Sequence, residues 1–156
     1  MSTVVRPATP NDLGRLVELE QAHTSDRFSR SQLLYLLSRA NGATLVAEEE
    51  DGSGSNRVLG NVIVLFRRNT DAAHLYSLTV DPAHRGRGIG RMLLERAEEL
   101  AAARGLGTMQ LEVRSDNDAA IRLYRASGYR PSGVKAGYYS DGCDGISMVK
   151  ALGPRE

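Results

Sequence analysis

Residues 74–97, HLYSLTVDPAHRGRGIGRMLLERA, decide the fold: a β-prone run meets a turn in which Gly86, Gly88 and Gly90 alternate with Arg85, Arg87 and Ile89, and an amphipathic stretch follows. The first seven residues read as a strand. Beyond the turn, Ile89, Leu93, Ala97 and Leu100 recur at helical spacing, and Gly105 stands where a helix would terminate. A strand that enters a helix through such a turn aims unpaired backbone N–H groups and the positive end of the helix dipole at one point. That is an anion site, above all for phosphate. Glycine suits it because a Cβ would hold a phosphate away from the backbone.

Two familiar phosphate loops fit poorly. The dinucleotide fingerprint G-x-G-x-x-G would need glycine at position 91, where Arg91 stands; Glu112, about 22 residues on, does mimic the acidic ribose ligand. The nucleoside-triphosphate loop needs Gly-Lys-Ser/Thr, which does not follow. What fits is R-x-x-G-x-G, Arg85 to Gly90, after a strand ending in Leu-Thr-Val-Asp-Pro. In this the chain resembles the GCN5-related N-acetyltransferase (GNAT) superfamily, whose members hold the pyrophosphate of acetyl-coenzyme A on such a loop. The resemblance implies that Arg85, Gly86, Arg87, Gly88, Ile89 and Gly90 bind the cofactor. It also implies that Leu78, Thr79 and Val80 act through backbone: Leu78 N–H toward the thioester carbonyl, Val80 toward the pantetheine amide.

Working downstream, TMQLEVR is a strand with Met109, Leu111 and Val113 on one face and Gln110, Glu112 and Arg114 on the other. NDAAIRLYRASGY reads as a helix capped by Asn117 and stopped by Gly128. Together they resemble the RimI and Ard1 group of protein N-terminal acetyltransferases. That likeness implies Glu112 as general base, Asn117 as a cofactor contact and Tyr124 as general acid. The plainer alternatives are a strand carboxylate paired with Arg114 or a lysine, a helix cap, and a packed aromatic. The tail reads as two short strands around a turn-rich loop, and GYYSDGCDGISMVKAL resembles the signature that closes domains of this group. By that resemblance Tyr138 and Tyr139 form a wall against the substrate peptide. Cys143 and Gly145 depart from the pattern, as does Arg27-Phe28-Ser29, where the group carries Pro-Trp-Ser.

Working upstream, Thr9 and Pro10 open a helix carrying Leu13, Leu16, Val17 and Glu20, and Ser29 with Gln32 forms a capping box ahead of Leu33, Leu36 and Leu37. TLVAEE and VLGNVIVLFRR are strands joined by EEEDGSGSN, an acidic mobile connector. With HLYSLTV they make an antiparallel sheet. At 156 residues, 41% hydrophobic and 25% charged, the chain suits one domain, residues 1–152, with a tail at 153–156. A net charge of +1 argues against broad binding to nucleic acid, and no apolar run suits a bilayer. The start, MSTVVRPATP, lacks the form of a secretory signal, and the single cysteine, Cys143, cannot close an internal disulfide, so a cytoplasmic location is expected. His23, His74 and His84 lack metal-ligand spacing, so no metal is expected, and no histidine adjoins Cys143 to activate it.

The expectation is a single α/β domain of GNAT fold, a mixed, largely antiparallel sheet flanked by helices. It would move an acetyl group from acetyl-coenzyme A directly to the α-amine of a protein or peptide, ribosomal proteins among the candidates, as a monomer or homodimer. Lysine or small-molecule amines are the alternative acceptors. A non-catalytic acyl-coenzyme A sensor is the alternative of another class.

Overall fold

The chain runs β1 (Ser2–Pro7), α1 (Leu13–Gln21), α2 (Arg30–Leu37), β2 (Gly42–Glu50), β3 (Asn56–Phe66), β4 (Ala72–Val80), α3 (Ile89–Ala103), β5 (Thr108–Arg114), α4 (Asp118–Ala126), β6 (Arg130–Lys135) and β7 (Gly145–Ala151). These elements come from a computed structural model that describes residues 2–22, 28–38, 41–50, 52, 54–66 and 69–153. His23, Arg27, Arg67, Arg68 and the end of the tail, residues 154–156, lie outside the described residues. The strands form one sheet in the order β1-β2-β3-β4-β5-β7-β6. Every neighbouring pair is antiparallel except β4 with β5, which run parallel. The sheet is thus mixed and largely antiparallel, as expected. Among the described residues no helix is long and apolar enough to cross a membrane.

A core lies on each face. Leu93, Leu94, Ala97 and Ala101 of α3 pack with Leu59, Val62, Val64, Leu111 and Met148 of the sheet. On the other face Leu13, Leu16 and Leu19 of α1 and Leu33 of α2 pack on Val46, Val58 and Ile63. The start of α2 follows local chemistry: Gln32 N–H donates to Ser29 Oγ at 3.2 Å, and Ser29 N–H to Gln32 Oε1 at 2.8 Å.

Two features place the site. Between β3 and β4 the register passes from Ile63 opposite Ser77 to Val64 opposite Leu75, so Tyr76 is an extra, bulged residue. Ala73 and Leu75 face the α3 layer before the bulge, and Leu78 and Val80 face that same layer after it. Simple alternation would have turned those last two away. Second, β4 and β5 pair only from Ala72 opposite Thr108 to His74 opposite Gln110. Beyond that β5 pairs with β7 on its other edge as far as Arg114 opposite Gly145, while β4 continues with β3 to Val80 opposite Gly60. The parallel strands have parted, and the sheet is open between them.

The acidic stretch EEEDGSGSN is less loop-like than its composition suggests. Glu48, Glu49 and Glu50 belong to β2 and pair with Val58, Arg57 and Asn56. Long-range arginines make this tolerable: Arg6 sits 3.0 Å from Glu48, and Arg87 bonds the buried Glu49. Only residues 51–55 connect the two strands.

Candidate active site

At the end of β4 the chain is fixed before it turns. Asp81 N–H donates to Leu59 C=O at 2.7 Å, and Asp81 Oδ1 accepts from Ala83 N–H at 2.9 Å, shaping the turn Pro82–His84. The Arg15 guanidinium bonds the Asp81 carboxylate and, with the Ala83 amide, holds its pKa down at about 2. Gly86 and Gly88 then adopt φ of 82° and 80°, the left-handed region that L side chains avoid, and Gly88 caps α3. A Cβ at either would meet no protein atom within 4 Å. Glycine is demanded there by backbone conformation, and the space beside it stays open.

A cavity of about 800 Å³ fills the gap between β4 and β5. Leu78 and Val80 form one wall and Asn117 and Tyr124 the other, with Arg85, Gly86, Gly88, Ile89 and Gly90 at the α3 end. Nine of the eleven donor-side candidates thus line this cavity. The exceptions are instructive. Thr79 turns its side chain to the opposite face, where its hydroxyl bonds Asn61 Oδ1. Arg87 is engaged with Glu49 and ties the loop to β2. Asn117 both caps α4, accepting from Ala120 N–H at 3.1 Å, and borders the cavity. The arrangement fits a long thioester nucleotide: an amide-lined, glycine-opened end for a diphosphate and an unpaired strand edge for amide groups.

A second cavity, of about 410 Å³, is lined by Phe28, His74, Tyr76, Glu112, Tyr138 and Tyr139. Glu112 Oε1 lies 2.7 Å from His74 Nε2, and Lys135 Nζ donates to Glu112 Oε2 at 3.1 Å. The hydrogen bond with His74 leads in holding the Glu112 pKa at about 2, against the opposing effect of burial, and Lys135 adds to it. Tyr138 moves the other way, raised first by burial and then by the Glu112 charge. Its ring lies edge-on to Tyr139 at 5.0 Å, over Gly145, where a Cβ would come within 3.1 Å of it. Arg114 does not pair with Glu112. It bridges Asp116 at 3.0 Å and Asp141 at 2.7 Å and lies 5.1 Å from the Tyr139 ring, bracing the β6–β7 loop.

Tyr124 lines the first cavity. It is buried and packs edge-on to Tyr129 at 5.7 Å, and its hydroxyl has no hydrogen-bond partner among the described residues. Burial raises its pKa, and Tyr139, from the second cavity, adds to the effect, so it holds its proton at neutral pH. Cys143 borders neither cavity; its Sγ is 3.5 Å from Ser115 Oγ.

His74 is the residue that reading the sequence as separate segments overlooked. A signal was present: His74 alternates with Leu75, and Glu112 with Leu111, so parallel pairing of their strands puts both polar side chains on one face.

The model of the acetyltransferase (GNAT) family matches residues 13–129. The N-alpha-acetyltransferase RimI of Mycobacterium tuberculosis is 48% identical over 80 residues, covering 51% of this chain and 49% of that protein. The chain therefore matches about half the length of that relative. A [ribosomal protein bS18]-alanine N-acetyltransferase of Haemophilus ducreyi is 31% identical over 153 residues, 96% of this chain and 99% of that protein. The crystal structure of the ribosomal-protein-S18-alanine N-acetyltransferase from Escherichia coli superposes with a TM-score of 0.84 at 25% identity, covering 99% of this chain and 97% of that one. The parted strands, the glycine-rich turn ahead of α3 and these relatives agree, and the chain belongs to the acetyltransferase (GNAT) family.

Proposed function

We propose that the protein transfers an acetyl group from acetyl-coenzyme A to the α-amine of a protein or peptide N-terminus, directly, in a ternary complex. The observation that carries the reading is the opening between β4 and β5, with the glycine-rich anion cradle at one end, Tyr124 in its wall and the Glu112–His74 pair on the other side. Relatives named for acetylating the alanine of ribosomal protein bS18 support a protein N-terminus, with ribosomal proteins as the first acceptors to try.

The diphosphate of the donor meets the amides of residues 85–90, and the acyl arm runs along Val80 and Leu78 toward Tyr124. The amine nitrogen attacks the thioester carbon, whose oxygen takes the Leu78 N–H as its hydrogen bond. As the tetrahedral adduct collapses, the C–S bond breaks, the thiolate takes the Tyr124 proton, and solvent restores that proton. The nitrogen gives up its own proton through water beside the Glu112–His74 pair. A carboxylate held at about 2 is a poor base. Glu112 therefore acts by its charge, drawing the amine in and holding the His74 ring, whose Nε2 lies 2.7 Å from it, against the acceptor side.

The weakness of that base selects the acceptor. An α-amine with pKa about 7.7–8.0 is neutral in roughly a tenth of molecules at pH 7, whereas a lysine at about 10.4 is neutral in fewer than roughly one in a thousand. Incubation with acetyl-coenzyme A and lysine-containing peptides, with free or blocked N-termini, tests this by mass spectrometry. Acetylation only at free α-amines is expected. Equal labelling of lysine in blocked peptides overturns the choice of acceptor, and binding of coenzyme A without transfer to any amine overturns the activity.

A further inference from the structure

A strip of buried polar groups lies beneath α1, on the face of β4 that looks away from the donor cavity. Glu20, in the last turn of α1, is only 4% exposed. Its Oε2 accepts from Ser77 Oγ at 2.6 Å, and the Phe28 backbone N–H also hydrogen-bonds the carboxylate. Among the described residues no cation pairs with it. Along the same strip Thr79 Oγ donates to Asn61, which is fully buried and leaves its Nδ2 without a partner.

Such a strip opposes stability. A carboxylate buried without a counter-ion is costly, more so at a helix C-terminus, where the dipole is negative, and burial duly raises the Glu20 pKa. The packing of α1 on the sheet is already supplied by Leu13, Leu16 and Leu19. What the carboxylate grips is specific. Ser77 follows the Tyr76 bulge and precedes Leu78, whose N–H faces the thioester in the reaction proposed above. Phe28 is a wall of the cavity that holds Glu112.

We infer that Glu20 is a positioning residue: by holding the Ser77 hydroxyl and the Phe28 amide together, its carboxylate fixes the length of β4 that has parted from β5 against the acceptor wall. The inference rests on the acetyl-transfer reading for its effect on rate, though not for its effect on the strand. Glu20 touches neither cavity and performs no proton transfer; it sets the distance across which amine and thioester meet.

The test compares full-length wild type with Glu20→Gln, Ser77→Ala, Ser77→Thr and the Glu20→Gln/Ser77→Ala pair. Steady-state rates with acetyl-coenzyme A and an N-terminal peptide are measured beside melting temperature and amide hydrogen exchange at residues 77–80. Glu20→Gln and Ser77→Ala should each lower kcat about tenfold and leave KM for acetyl-coenzyme A within about twofold. The pair should be no slower than either single variant, because both remove one link. Ser77→Thr, which keeps the hydroxyl, should restore the rate. Glu20→Gln should melt no lower than wild type while exchanging faster at residues 77–79. Additive rate losses, a loss that only tracks melting temperature, or Ser77→Thr as slow as Ser77→Ala would each overturn the inference. If wild type acetylates no amine, the proposed activity falls by itself, and exchange still decides the strut: faster in Glu20→Gln upholds it, unchanged refutes it.

Discussion

Replacing Glu112 by glutamine separates two consequences of one charge. The carboxyl is held from its ordinary 4.5 to about 2. At about 1.4 kcal/mol per pKa step, the ceiling on its stabilising effect at neutral pH is about 3 kcal/mol. Lys135 is half-exposed and screened, so about 1–2 kcal/mol is the realistic share, or a melting temperature lower by about 3–6 °C in a chain of this size. The sign follows from the direction: a carboxyl with a depressed folded pKa stabilises fully above its ordinary value and loses that stabilisation as pH falls toward about 2. Thermal unfolding of wild type and Glu112→Gln, from pH 7 down to pH 3, should therefore show a gap that narrows below about pH 5. At pH 7, and below both melting points, kcat/KM with an N-terminal peptide should fall about a hundredfold. A gap independent of pH, or a variant more stable than wild type at pH 7, refutes the electrostatic account. An undiminished rate refutes the role in catalysis.

If Tyr124 is the proposed proton donor, Tyr124→Phe should lower kcat about a hundredfold, with KM for acetyl-coenzyme A nearly unchanged in initial-rate assays. Gly88→Ala places a Cβ on a backbone at φ 80°, costing about 1–2 kcal/mol, and should raise the dissociation constant for coenzyme A at least about tenfold by calorimetry. Leu93→Ala empties a fully buried site under the sheet and should lower stability by about 3 kcal/mol in denaturant titrations, with coenzyme A affinity changed by less than about threefold.

What could be read from the sequence was what local chemistry controls. The Arg85–Gly90 turn, the stripe of α3 and the Ser29–Gln32 box depend on neighbours a few residues apart, and the structure has each of them. The strand TMQLEVR occupies β5 with Glu112 opposite Leu111 and Val113, again a matter of alternation. Long-range register was hidden. The bulge at Tyr76, which returns Leu78 and Val80 to the donor face, arises only when β4 meets β3. The Glu112–His74 pair needs two strands far apart in sequence to lie parallel. Glu48 and Glu49 could be read either as the strand's end or as the connector's start, because their arginine partners, Arg6 and Arg87, come from distant segments.

β6 is exposed along its whole length at one border of the sheet, and its link to β7 carries Tyr138 and Tyr139. The donor cradle is built elsewhere, from β4, the glycine-rich turn and the start of α3. In the proposed reaction the acceptor wall would thereby draw Tyr138 and Tyr139 from a peripheral hairpin, built apart from the turn and helix that would hold the acetyl donor.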